Sequence, residues 1–86
     1  MNNLQKIATD ISGYSLTDEA GARNDYFYDL ETYKEQLEFI KDYSNTVDDV
    51  MPLDDREARQ IVNYLTADFD CGDDRWYALN ELGWNG

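Results

Sequence analysis

Tyr26, Leu30, Tyr33, Leu37 and Ile40 recur at spacings of four, three, four and three. That is the period of an α-helix with one apolar stripe, whereas a half-buried strand would alternate. The tract that carries them, residues 25–43, has neither Gly nor Pro and is well supplied with helix formers, so it reads as one continuous helix. A chain built around such an element must bury the stripe against other helices or a sheet.

The rest of the chain favours helices. Asn3 can cap a short helix whose Leu4, Ile7, Ala8 and Ile11 share a face, and Gly13 suits its end. Residues 14–24 read as a connection, with one helical turn started by Thr17. Residues 44–52 break the chain again, with a turn around Val47 and Val50 before Pro52. Asp54 followed by Glu57 has the spacing of a capping box, and it opens a helix with Ala58, Ile61, Val62 and Leu65 on one face. Asp55 and Arg59 are spaced for a supporting i,i+4 pair along it. A last helix is expected from Asp73, burying Trp76, Leu79 and Leu82 and stopping at Gly83.

No long alternating run rich in Val, Ile and Thr appears. The expected fold is therefore all-α, a compact bundle of four or five short helices forming one domain over residues 1–86. The alternative is a small α+β fold with a hairpin around Tyr14 or Tyr26–Tyr28. Hydrophobic residues make up 42% of the chain and aromatics 14%, enough for a core in a chain of 86 residues.

Composition also removes function classes. There is no histidine, so nucleophile–imidazole arrangements and imidazole metal sites are absent. One cysteine, Cys71, cannot form an internal disulfide. No apolar run approaches the ~20 residues of a membrane span, and the first ten residues lack the apolar run of a signal peptide. The expected location is the cytoplasm, of a bacterium or a phage-infected host cell. Nineteen acids against seven bases give a net charge of −12, which disfavours nucleic acid and anionic lipid and favours a basic partner.

Asp68, Asp70, Asp73 and Asp74 surround Cys71, and a hard cation is the first thing such a cluster suggests. Counting from Asp68, the EF-hand glycine position holds Asp73 and the twelfth holds Leu79 instead of Glu. A structural role accounts for more: Asp73 as an N-cap, Asp74 in the positive first turn, Gly72 at a bend. No metal or other cofactor is expected. Among these carboxylates Cys71 makes a poor nucleophile and reads as a partly buried small hydrophobe. Nothing resembles a cleft for paired-carboxylate chemistry, and the chain is not expected to be an enzyme.

Glu31, Glu35, Glu38 and Asp42 are again spaced four, three and four apart, opposite the apolar stripe. On one helix they make a row of about 16 Å. Lys34 and Lys41 flank the row, and like charges at this spacing do not help a helix. Tyr28 and Phe39 are expected near the same outer face. Asp48, Asp49, Asp68 and Asp70 extend the acidic surface. Carboxylates at close intervals can imitate the phosphate row that attracts Lys and Arg.

In size and charge the chain resembles the small acidic inhibitors that phages and mobile elements use against CRISPR effectors and restriction enzymes. The expected function is accordingly a nucleic-acid mimic that binds and blocks a basic nucleic-acid-handling protein, with a CRISPR effector or restriction enzyme as the foremost target. Its site would comprise Glu31, Glu35, Glu38, Asp42, Asp48, Asp49, Asp68 and Asp70, with Tyr28, Phe39 or Trp84 as aromatic anchors. It would bind neither nucleic acid nor membrane directly. The alternative is a small adaptor or antitoxin-like module that pairs through an apolar groove, its charge serving mainly for solubility.

Overall fold

The computed structural model describes residues 2–16, 21–47 and 51–83. Thr17, Asp48, Asp49, Val50 and Trp84 lie outside them. Among the described residues there are five helices and no strand: α1 (Asn3–Ser12), α2 (Asp25–Tyr28), α3 (Tyr33–Thr46), α4 (Asp55–Thr66) and α5 (Gly72–Glu81). The all-α reading holds, and the hairpin alternative is not found at Tyr14 or at Tyr26–Tyr28.

Four of the five described helices start at a side-chain cap, and three of the five starts differ from expectation. In α1 the cap is Asn2, one residue earlier than Asn3. Its Oδ1 accepts from the Gln5 backbone N–H at 2.8 Å while Gln5 Oε1 accepts from the Asn2 N–H at 3.0 Å, a reciprocal box. Gly13 closes the helix with φ +76, and its N–H donates to the Thr9 carbonyl at 2.9 Å. A side chain there would also meet the Gly21 carbonyl oxygen at 2.6 Å, so both conformation and space demand glycine.

The expected single helix over residues 25–43 is two helices. Asn24 caps the short α2, accepting from the Tyr26 N–H, and the chain leaves helical geometry at Leu30 and Glu31. Thr32 then caps α3. Its hydroxyl oxygen accepts from the Glu35 N–H at 3.1 Å and donates to the Glu35 carboxylate at 2.8 Å. A Thr with Glu three residues on is itself a helix-start signal, and here it overrides the propensity of the tract to continue. The break changes the helical phase. Phe27 is fully buried, while Tyr26 is 75% and Tyr33 45% exposed; Leu30 and Leu37 are half-buried and Ile40 fully buried. α3 runs three residues past Tyr43, and its buried Ser44 donates to the Lys41 carbonyl and accepts from the Leu53 N–H.

In α4 the Asp54–Glu57 box is present in both directions, and Ala58, Ile61, Val62 and Leu65 are buried as expected, joined by Tyr64. Asp55 pairs with Lys41 of α3 instead of forming the expected pair with Arg59. α5 starts earlier than Asp73: Cys71 stands at the cap and supplies no side-chain hydrogen bond, which leaves Asp73 and Asp74 in the first turn. Cys71 is exposed. Leu79 and Leu82 are buried, but Trp76 is 38% exposed, its indole N–H donating to the Leu16 carbonyl at 3.2 Å.

α4 packs against both α3 and α1, and α1 packs also against α5. Every helix sends a fully buried side chain to one core: Ile7, Ala8 and Ile11 from α1, Phe27 from α2, Ile40 from α3, Ala58, Ile61 and Val62 from α4, Leu79 from α5. The two ends of the helix set are clasped. The Asn2 amide donates to the Leu82 carbonyl at 2.8 Å, and the buried Gln5 amide donates to the carbonyls of Leu79 and Asn80. These bonds satisfy carbonyls that the end of α5 would otherwise leave open. No helix is long and apolar enough to cross a membrane.

Candidate protein-interaction surface

Exposed carboxylates dominate the described surface. Of the acids described, only Glu57 is partly covered. Two are in ion pairs, Asp25 with Arg23 and Asp55 with Lys41. The remaining charge is therefore not consumed within the described fold.

Glu35, Glu38 and Asp42 lie exposed on α3, opposite the face that buries Ile40 and Ser44. Glu31 is exposed too but precedes the helix, so the row on α3 shortens from four acids to three, about 10 Å long. The three are not equivalent. Glu35 sits in the first turn, where a carboxylate offsets the positive helix end, and it also accepts the Thr32 hydroxyl. Asp42 lies outside the first turn of α3 and gains nothing from the positive helix end. Glu38 and Asp42 form no ion pair among the described residues and do not cap α3. Lys41 is turned to Asp55, and Lys34 forms no ion pair among the described residues.

Tyr28 and Phe39 do not project outward as expected. Both are half-buried against Phe27, Tyr28 edge-on at 5.2 Å and Phe39 at 5.9 Å between ring centroids. Phe39 stacks in turn on Tyr43, whose hydroxyl donates to Asp10 at 3.4 Å. Burial pushes both tyrosine hydroxyls up; at Tyr43 the Asp10 carboxylate adds to the rise, and at Tyr28 the Arg75 and Arg23 guanidiniums partly oppose it. The continuous-helix phase put Phe27 outside the stripe and so hid its neighbours' role. Among the described residues the exposed large apolar side chains are instead Tyr26, Tyr33, Met51, Trp76 and Tyr77. No periodic signal marks Met51, which stands in a connection, while Tyr77 is flagged only by adjacency to Trp76, whose ring it meets edge-on at 5.3 Å.

Asp68 and Asp70 are exposed in the α4–α5 connection. Asp68 shares a cleft with Tyr28, whereas Asp48 and Asp49 lie outside the described residues. The structure therefore gathers Glu35, Glu38 and Asp42 on one helix face and Tyr28 with Phe39 around Phe27, and it leaves Glu31 and Asp70 on separate connections. Among the described residues no group of three or more carboxylates and thiols comes close enough to share a metal ion. No family model, curated protein or solved structure matches this chain.

Proposed function

We propose that the protein is an acidic inhibitor that binds a basic nucleic-acid-handling protein and occupies the place of its nucleic acid. A CRISPR effector or restriction enzyme is the foremost target, as in the inhibitors carried by phages and mobile elements. The observation that carries this reading is the exposed row on α3, where Glu38 and Asp42 have no ion pair among the described residues and do not cap the helix. Carboxylates kept without structural return support a role toward a partner. Lys and Arg that ordinarily meet phosphates would meet this row, and charge complementarity would speed encounter.

The test is competition. The protein is titrated into purified CRISPR effectors and restriction enzymes holding labelled DNA, and release of the DNA is followed at rising salt. Displacement that weakens steeply with salt is expected. The triple variant Glu31→Gln, Glu38→Gln, Asp42→Asn spares the Thr32–Glu35 cap and should keep its helix content while displacing DNA at least ~10-fold less well, since each buried charge pair contributes on the order of a tenfold factor or more. A variant that folds and displaces DNA as well as the parent would rule the reading out.

Exposed Tyr26, Met51, Trp76 and Tyr77 favour the second reading, an adaptor or antitoxin-like module that pairs through apolar side chains. Such a module would bind its partner alongside nucleic acid, with little response to salt.

A further inference from the structure

A cleft of about 450 Å³ opens where the end of α1, the end of α2, the end of α4 and the start of α5 meet. No residue of α3 lines it, so it is separate from the acidic row. In a chain with seven basic residues, two of them, Arg23 and Arg75, stand in this one cleft. Each guanidinium lies over a tyrosine that also lines it: Arg23 over Tyr28 at 4.3 Å from the ring centre, Arg75 over Tyr14 at 4.7 Å. Stacking through the planar face holds a guanidinium in place and leaves its edge to bond in plane; the Arg23 Nε–H already donates to Asp25 at 3.2 Å, whereas Arg75 has no ion pair among the described residues.

Two donors in the cleft lack acceptors. Tyr64 is 6% exposed, and its buried hydroxyl has no hydrogen-bond partner among the described residues. The Arg75 Nε–H is buried and equally unmatched. Buried donors are matched in the great majority of native sites, so two unmatched in one cleft call for an acceptor beyond the described residues. The positive end of α5 adds to them. Cys71 supplies no side-chain cap, and beside Gly72 there is open space where a side chain would stand. Burial pushes the Tyr28 hydroxyl up, and the Arg75 and Arg23 guanidiniums partly oppose that rise. Asp68 is the one carboxylate on the lining, Asp25 pairs with Arg23 at its edge, and Asp73 and Asp74 follow in the first turn of α5, so Arg75 carries the positive charge that is left unpaired.

We propose that this cleft binds a small organic oxyanion, a carboxylate or phosphate monoester, whose oxygens accept from the Tyr64 hydroxyl and the Arg75 Nε–H. The volume lies in the range of small-molecule sites, ~300–1,000 Å³, and exceeds what a bare ion fills. The organic body would lie against Tyr28 and Phe69, and Asp68 favours a ligand that carries a donor beside its anion. The site stands independently of the acidic row and of any partner that row binds.

Nuclear magnetic resonance titration with phenyl phosphate and with benzoate, at ionic strength held constant with sodium chloride, tests it. Saturable shifts of the amides of Gly72 and Arg75 are expected with at least one probe, and the probe that saturates distinguishes phosphate from carboxylate. Tyr64→Phe and Arg75→Gln should each weaken binding by at least ~10-fold, because the lost bond is to a charged group. Lys34→Gln, which removes a charge from α3, should leave binding unchanged. Tyr64→Phe keeps the ring that packs 5.7 Å from Phe69 and removes a hydroxyl with no hydrogen-bond partner among the described residues, so it should fold and melt no lower than the parent. No saturation with either probe up to about 10 mM, or unaltered binding by the folded Tyr64→Phe variant, would overturn the proposal.

Discussion

Phe27 is the largest of the fully buried side chains, and its ring is the hub around which Tyr28 and Phe39 are arranged. Truncating it removes the contact surface of both neighbours along with its own buried area. Phe27→Ala should therefore destabilise the fold by about 3–5 kcal/mol in urea denaturation. Leu37→Ala, at a half-buried position, should cost clearly less, and Tyr26→Ala should be near neutral. An equal cost at Leu37 and Phe27 would mean that the aromatic hub is not the centre of the core. The ordering of these three reverses what the residue spacing alone suggests. Period-matching assigns each residue a direction only if the helix keeps its phase, and one interruption at residues 29–32 is enough to exchange Tyr26 for Phe27.

At the scale of elements, that interruption comes down to one hydroxyl. Thr32 receives the Glu35 N–H and donates to the Glu35 carboxylate, so the tract gains a new start in the middle of otherwise good helix formers. Thr32→Ala should lower stability by ~1 kcal/mol, the ordinary value of an N-cap, as read from the shift of the urea midpoint at unchanged slope. A rise in helix content by circular dichroism would instead mean that α2 and α3 fuse once the cap is gone. The same chemistry was plainly legible at Asp54 and Glu57, where it follows Pro52 and a break in the apolar pattern; at Thr32 nothing around it looks like an end. The start of α5 erred the other way. Three good capping residues, Asp70, Asp73 and Asp74, crowd the site, yet the helix begins at Gly72 with no side-chain cap at all.

For the molecule as a whole, the balance of charge governs its response to the medium. A net charge of −12 with two ion pairs among the described residues leaves self-repulsion as the larger electrostatic effect. Tm should rise as salt goes from about 10 mM to 150 mM, a range over which the screening length falls from ~30 to ~8 Å. A fall in differential scanning calorimetry would mean that attractive pairs dominate. The acidic surface was legible because exposed carboxylates need no fold to reveal them. The cleft was not, since Tyr14, Arg23, Tyr64 and Arg75 come from four separate segments, and no spacing along the chain announces that they converge.

Asn2 and Gln5 reach across to Leu79, Asn80 and Leu82, and with those few bonds the chain becomes a ring in all but covalent connection. Anything joined before Asn2 or after Gly83 must set out from the same corner of the molecule. A tether there would hold the molecule by the start of α1 and the end of α5, leaving the mouth beside Arg75, at the opposite ends of those two helices, clear of it.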